Sequence, residues 1–399
     1  MLKPVDSVRQ SRQVARLLQR QRVVHLLRTS GPLARADLAE RLGLPRPSIT
    51  AIVAELIDDG TLVELESRIE GSGMRGRPRI LLDCNPQARR VLGIQIDAIR
   101  ARVMLADATG NISQQNQTPT GDREPSAVIR SIIRIAKKLI EDSDGGRVSA
   151  AGVCIPGLVD DDTGLVVVSH DLGWTNIELG KLISRELGIP TAVQDSTKAI
   201  TLAETIAGEA REARSAVVLD HGGRFGIGLI IDGRPYSGST GVAGVIGHVP
   251  VYGSTAQCRC GRVGCVEADM SLYAMQAAAP ETTGLTYEDV DVDELRQKAA
   301  NSTTRQQIIA DVVDRVAHTA LLVESLLDPE LLIIAGMIVE FDDLATALEA
   351  RIEELRPPER QGRTTTVRSK IGRDAPISVI VALQQLDPDI AGMMHTSGA

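Results

Sequence analysis

Four side chains near the middle of the sequence constrain its fold and chemistry more than any other feature. Cys258, Cys260 and Cys265 lie within eight residues, and His248 lies ten residues before the first of them. Three thiolates and one imidazole complete the tetrahedral shell of a structural zinc ion. The glycines between the cysteines permit the tight turns that bring the sulfur atoms together. The sequence therefore predicts a closed zinc site, the alternative being free buried thiols beside a hydrogen-bonded histidine.

Composition excludes several classes of protein. The chain has 399 residues, enough for two or three domains, and 43% of them are hydrophobic, which excludes a disordered chain. We find neither a run of 18 apolar residues nor a signal-peptide pattern, so we expect no membrane span. Three of the five cysteines cluster, which suits a metal site in a reducing compartment. The sequence thus predicts a cytoplasmic protein.

Charge is distributed unevenly along the chain. Residues 1–90 contain 16 Lys and Arg against 10 Asp and Glu, a net charge of +6, whereas the whole chain carries -8. A basic head on an acidic body is typical of a protein whose head meets a polyanion. A chance distribution of surface charge is the alternative.

The N-terminal part predicts three helices followed by two strands around a loop rich in glycine and arginine. Helical spacing of apolar residues marks the helices, and Gly43 supplies the turn between the second and the third. The predicted helices span 13–29, 35–42 and 46–59, and the strands span 61–66 and 80–83. This order is typical of a winged helix-turn-helix, which we assign to residues 10–84.

Two groups of residues in this head are candidates for DNA contact. Arginine bonds both acceptors of a guanine, and serine or threonine bonds either base type. Arginines on a loop of small residues suit a narrow minor groove. The predicted DNA-binding residues are Arg46, Pro47, Ser48, Thr50, Arg75, Arg77 and Arg79. An ordinary solvated helix face and an ordinary solvated loop are the alternatives.

From residue 88 onward, strands alternate with helices in two runs, which is typical of a two-lobed α/β protein. We assign residues 88–205 to the first lobe and 206–375 to the second. The first run begins with apolar strands at 91–97 and 101–107. The segment 376–383 is ambiguous between strand and helix by periodicity.

These motifs resemble those of the ROK family, which contains sugar kinases and winged-helix transcriptional regulators. The resemblance covers essentially the whole chain. It rests on Gly247-His248 with the cysteine pattern through Glu267, on the turn at 152–157, on Leu172-Gly173-Trp174 and on the Arg-Gly-Arg-Pro motif of the wing. It implies an actin-like, ribonuclease H-like sugar-kinase fold in two lobes, with a C-terminal helix at about 376–399 in the first lobe.

The resemblance also implies a sugar site in the cleft between the lobes, formed by Gln194, Asp195, His248 and Glu267. Carboxylates and imidazole suit vicinal hydroxyls, and His248 would serve the zinc ion as well. Asp195 stands at the position of the kinases' catalytic base. Its alternative role is to cap the helix at 197–208.

The segments that would hold ATP depart from the family pattern. Kinases of the family usually read Asp-x-Gly-Gly-Thr in the first hairpin, where this chain has Asp97 and Ile99. The second and third phosphate or adenosine segments are reduced to 222–224 and 335–337. Since phosphoryl transfer depends on positioning the phosphates and the metal, we predict no enzyme and treat Asp195 as a vestigial base.

The sugar site departs as well, since Gln194, Thr197 and Val245 replace the family's usual Asn, Asn and Glu. The effector is therefore an unusual sugar, an oligosaccharide, a sugar phosphate or absent. The sequence predicts a repressor of carbohydrate-related genes that binds an operator as a homodimer or homotetramer. A sugar kinase with a DNA-binding head, and a regulator controlled by a protein partner, are the alternatives.

Overall fold

The computed structural model describes residues 19–65, 80–271, 274 and 303–386, apart from gaps at 21, 25, 28–29, 59, 86–88, 122–123, 144–146, 223 and 373. Arg75, Arg77 and Arg79 lie outside the described residues, as does the predicted C-terminal helix beyond residue 386. Within the described part, no helix combines the length and the apolar character that crossing a membrane requires.

The head consists of three helices packed against a three-stranded sheet. The described positions between 19 and 30 are helical (α1), and then come β1 (Leu33–Ala34), α2 (Arg35–Leu42), α3 (Arg46–Asp58), β2 (Leu62–Leu65) and β3 (Leu81–Cys84). The strand order is β1-β3-β2. Gly43 ends α2 in the left-handed conformation. Leu27, Leu38, Ile52 and Leu82 belong to one core. This is the arrangement of a winged helix-turn-helix.

The first large sheet has five strands in the order β11-β7-β4-β5-β6. The elements of this part are β4 (Arg89–Ile96), β5 (Arg100–Asp107), β6 (Ile112–Pro119), α4 (Pro125–Glu141), β7 (Arg147–Ile155), β8 (Leu158–Asp160), β9 (Leu165–Ser169), β10 (Trp174–Ile177), α5 (Leu179–Leu187), β11 (Thr191–Asp195) and α6 (Ser196–Ala207). Strands β8 to β10 form a separate small sheet. Val166 and Trp174 of that sheet belong to the same core as Leu92 and Ile94 of the large one, so the two sheets pack together.

The second large sheet also has five strands, in the order β14-β13-β12-β15-β16. Its part of the chain contains β12 (Ala216–His221), β13 (Phe225–Ile231), β14 (Arg234–Pro235), α7 (Val266–Met270), α8 (Thr303–Leu327), β15 (Leu331–Ala335), α9 (Asp342–Leu355) and β16 (Thr365–Arg368). Phe225 and Val266 belong to its core, which is distinct from that of the first sheet. The assignment of 88–205 and 206–375 to two lobes stays a prediction.

The ambiguous segment at 376–383 is a helix, α10 (Ile377–Leu386), which returns to pack on β4 and β7 of the first sheet. Its residues Ile377 to Val379 and Val381 to Leu383 are buried, which explains why its apolar pattern has no period. The close approach requires glycine in the sheet, because a Cβ at Gly152 would lie 2.3 Å from the Ala382 nitrogen.

Candidate metal centre and cleft

The four predicted metal ligands converge. Their ligand atoms all lie within 4.8 Å of one another. His248 Nδ1 is 3.6 Å from Cys258 Sγ, and Cys260 Sγ is 3.6 Å from Cys265 Sγ. A tetrahedral ion with metal–sulfur bonds of about 2.3 Å requires sulfur atoms about 3.8 Å apart. The four side chains therefore fit a tetrahedral metal ion. No other cluster of this kind occurs in the described ranges.

The backbone of the loop from 248 to 265, here called the metal loop, explains why these side chains meet. A β-bridge joins Pro250 to Cys265, and the Cys258 N–H donates to the Arg262 carbonyl at 2.9 Å. Burial opposes ionisation of Cys260, but hydrogen bonds from Arg262 lower the pKa of its thiol to about 7. The thiolate, which is the form that binds a metal, is thus favoured at Cys260, whereas burial raises the pKa of Cys258 and of Cys265.

The metal loop also lines a cavity of about 350 Å³, here called the large cavity. Three of the four predicted sugar contacts line it, namely Asp195, His248 and Glu267. Nδ1 of His248 faces the Cys258 thiol, and the His248 ring contacts that of His170, which also lines the cavity. Three cations that the sequence analysis did not identify as sugar contacts line it as well, namely Lys198, Arg224 and Arg262. The volume lies within the roughly 300–1,000 Å³ of small-molecule sites.

Asp195 has a structural role in addition to its place in the cavity. Its Oδ1 accepts the Lys198 backbone N–H at 3.1 Å, so the prediction that it caps α6 is confirmed. Lys198 Nζ lies 3.6 Å from Asp195 Oδ2 and 2.7 Å from Asp161 Oδ2. Burial raises the pKa of Asp195, and the nearby Lys198 partly offsets that rise. The carboxylate therefore faces an ammonium group of its own chain.

Two arginines pair with Asp171 and Glu267, two further acidic residues that line the cavity. Arg259 Nη1 is 2.8 Å from Asp171 Oδ1, and its Nη2 is 3.3 Å from Glu267 Oε1. Arg224 Nε is 3.3 Å from the second Asp171 oxygen. Burial raises the pKa of Glu267, and Arg259 opposes the rise. Sequence reasoning missed this network because its members are far apart along the chain.

Gln194 is not among the residues that line the large cavity. It precedes Asp195 on β11, and successive side chains of a strand point to opposite faces. Its Oε1 is buried without a hydrogen-bond partner among the described atoms. The arrangement therefore does not support the predicted direct contact between Gln194 and a sugar in this cavity.

A second cavity, of about 150 Å³ and here called the small cavity, is lined by Asp97, Ile99, Gly222 and Met337. These are the segments in which the nucleotide motifs are altered. Asp97 Oδ1 accepts the backbone N–H groups of Ile99 and Arg100 at 2.9 and 2.8 Å. Backbone N–H groups in a turn are typical anion ligands. Here the chain's own carboxylate already occupies two of them.

In the head, the start of α3 presents Arg46, Pro47 and Thr50 to solvent, with Ser48 partly buried. The Thr50 hydroxyl donates to the Arg46 carbonyl at 2.9 Å. The hydroxyl proton of Thr50 is therefore already used in a hydrogen bond, and its methyl group is the part of the side chain left to contact a base. Arg35 of α2 pairs with Glu64 of β2 at 2.6 Å, which ties the helices to the wing strands.

Comparison with known proteins agrees with these features. The sequence profile of the ROK family matches residues 91–383. The chain belongs to the ROK family. It is 27% identical over 345 residues to the DNA-binding transcriptional repressor Mlc of Escherichia coli. The aligned region covers 81% of each chain.

Two solved structures show how much of this chain matches a ROK regulator and how much matches a ROK kinase. A ROK family transcriptional regulator, a homologue of E. coli Mlc, has a TM-score of 0.77 at 23% identity and covers 96% of this chain and 98% of its own. The ROK hexokinase of Thermus thermophilus has a TM-score of 0.62 at 20% identity and covers 75% of this chain and 99% of its own. The kinase fold thus leaves a quarter of this chain unmatched, whereas the regulator fold matches nearly all of it.

Proposed function

We propose that the protein is a sequence-specific transcriptional regulator in which a winged helix binds double-stranded operator DNA and the ROK body senses a carbohydrate. One observation carries the proposal: an exposed helix-turn-helix is joined to a kinase-like body whose phosphate-binding turn is filled by Asp97. The likeness to Mlc, named a repressor, favours repression over activation.

The head binds DNA through α3 in the major groove. Arg46 reads guanine, Ser48 bonds a base edge or a phosphate, and Pro47 and the Thr50 methyl contact thymine. The wing arginines enter the adjacent minor groove. These are Arg75, Arg77 and Arg79. The head extends over residues 10–84.

The metal is zinc, held by His248, Cys258, Cys260 and Cys265. A bound zinc ion with this shell has no open coordination position and supplies cross-linking of the loop, without Lewis-acid chemistry. The four side chains fix the metal loop, and the loop in turn presents His248 and Glu267 to the large cavity.

The effector binds in the large cavity. Glu267 and His248 Nε2 bond its hydroxyls, and Asp195 does so together with Lys198 Nζ. Asp195 is not a catalytic base here, because its two oxygens face the Lys198 backbone N–H and ammonium group. The body is therefore a sensor without phosphoryl-transfer activity.

Regulation follows from the two-lobed body. A homodimer or homotetramer places two heads on successive half-sites of a two-fold operator. The effector closes the lobes of each body and changes the distance between the heads. The effector shifts the equilibrium between open and closed lobes only as far as it binds one of the two arrangements more tightly than the other.

The test is fluorescence anisotropy at fixed salt on DNA from the region upstream of the gene, with and without a panel of pentoses, hexoses and N-acetylhexosamines. We expect tight binding that one sugar releases. Arg46→Ala should weaken operator binding about 10–100-fold and non-specific binding far less. Arg214→Gln, which removes an exposed pair with Asp232, serves as the matched control.

Three outcomes contradict parts of the proposal. Absence of DNA binding refutes the regulator, and an unchanged sequence preference in Arg46→Ala refutes the placement of the recognition helix. Tight binding that no sugar affects assigns control to a protein partner or to a ligand outside the panel.

A further inference from the structure

The side chain of Arg259 connects the metal loop with two carboxylates, those of Asp171 and Glu267. It lies in the metal loop between the ligands Cys258 and Cys260. Its guanidinium leaves that loop to bond Asp171 at 2.8 Å and Glu267 at 3.3 Å. The metal loop and two carboxylates of the large cavity therefore share one cation.

The Asp171 contact also joins the two halves of the body. Asp171 lies in the turn between β9 and β10, beside Leu172, which packs against the core of the first sheet. The metal loop runs into Val266, which belongs to the core of the second sheet. The ion pair between Arg259 and Asp171 thus crosses from one core to the other.

The environment makes this pair stronger than an ordinary surface pair. The Asp171 side chain is 5% exposed and that of Arg259 is 26% exposed. Both Asp171 oxygens have an arginine partner, since Arg224 takes the second one at 3.3 Å. Charge-assisted hydrogen bonds to a buried carboxylate depend on the position of the donor, and a planar guanidinium holds its donors in a rigid fork, whereas an ammonium acts as a point charge.

We propose that Arg259 is the positioning residue through which the metal centre controls the cleft. When the four ligands hold the metal loop, Arg259 is fixed between Asp171 and Glu267, and the β9–β10 turn is held against the second half of the body. When the loop loses its metal, Arg259 is no longer directed at Asp171, and the turn is released. Because coupling between two sites is reciprocal, loss of Asp171 weakens metal retention in turn.

This inference rests on the proposed function only in taking the large cavity as the effector cleft, and its test uses neither DNA nor sugar. Hydrogen exchange is measured for peptides covering 166–177 in the full chain, zinc-loaded and zinc-stripped. We expect stripping to speed exchange in wild type about tenfold. Zinc-loaded Arg259→Gln should show the same increase while it retains one zinc per chain, and stripping this variant should add less than about threefold. The exchange rate of zinc-loaded Arg259→Lys should lie between those of zinc-loaded wild type and zinc-loaded Arg259→Gln. Arg214→Gln should match wild type.

The proposal is overturned if zinc-loaded Arg259→Gln exchanges like wild type, if stripping wild type leaves 166–177 unchanged, or if the two effects add. If Arg259→Gln fails to fold, Asp171→Asn tests the same link from the other half. Asp171 belongs to no metal-ligand set, yet its loss should speed zinc release to a chromogenic chelator several-fold. An unchanged release rate in Asp171→Asn refutes the link.

Discussion

The two cavities of the ROK body differ in what their polar groups can still bind. In the large cavity, Glu267 and His248 face the space that a ligand would fill. In the small cavity, Asp97 bonds two of the N–H groups that would otherwise meet a phosphate. A kinase needs both cavities, whereas a sensor needs only the large one. One acidic side chain thus occupies part of the turn in the small cavity, while the large cavity stays open.

Removing the metal should change the large cavity more than any other alteration. Cys265→Ser should abolish stoichiometric zinc and lower the free energy of unfolding by more than about 3 kcal/mol, because the ligands no longer cross-link the metal loop. Metal analysis and urea denaturation measure both effects. Cys154→Ala, a buried cysteine outside the cluster, is the control and should retain its zinc. A Cys265→Ser protein with wild-type zinc content would show that the ligand set is wrong.

The next largest effect should come from the large cavity itself. Glu267→Gln removes a buried charge that faces the cavity and leaves Arg259 with one carboxylate fewer. We expect the sugar concentration needed to release the operator to rise about 10–100-fold, the effect of a lost charged hydrogen bond. Gln194→Ala, which changes a residue that is not part of the cavity lining, should have a smaller effect. The reverse ranking would restore Gln194 as the sugar contact.

A third prediction concerns His221, a buried residue at the end of β12. Its Nε2 is 2.7 Å from the Met270 carbonyl at the end of α7, and Asp220 beside it lines the small cavity. Burial lowers the pKa of His221 to about 4. The native state therefore keeps it neutral between pH 6.5 and 4, where the unfolded state takes up a proton, so stability falls as the pH falls.

Denaturation of wild type and His221→Gln at pH 7 and pH 5 measures this contribution. The wild type should lose about 1–2 kcal/mol more than the variant over this interval. The raised pKa values of buried Asp195 and Asp220 act in the opposite direction, so the difference between the proteins is the relevant quantity. Equal pH dependence would mean that His221 is protonated in the native state.

The sequence predicted local features better than distant contacts. The metal ligands were predictable because their spacing alone brings them together, and Asp195 and Glu267 followed from the family resemblance. The pair between Arg259 and Asp171 was not predictable. Its two residues lie 88 positions apart in the sequence and belong to segments that pack on two different cores. Lys198 was missed because a lysine on a helix usually faces solvent.

The same limit applies to the fold. The strands predicted at 91–97 and 101–107 followed from apolar periodicity, and the structure places them at Arg89–Ile96 and Arg100–Asp107. Strand β6 was missed because it is polar and lies at the edge of its sheet, where none of the described strands pairs with its outer side. Helix α10 stayed ambiguous because burial on several sides removes the period on which such a prediction depends.

The smallest expected effect tests the small cavity directly. Asp97→Gly removes the carboxylate and frees the Ile99 and Arg100 N–H groups for an anion. We expect ATP affinity, measured by calorimetry, to rise by no more than about tenfold, because Ile99 offers no hydroxyl and the cavity of about 150 Å³ is small for a nucleotide. Neither wild type nor Asp97→Gly should phosphorylate glucose, xylose or N-acetylglucosamine, since Asp195 still faces Lys198. Asp107→Gly is the matched control, because Asp107 makes similar turn bonds to Thr109 and Asn111 outside both cavities. Phosphoryl transfer by the wild type would refute the sensor and establish a kinase, whereas transfer by Asp97→Gly alone would show that this one carboxylate separates the two functions.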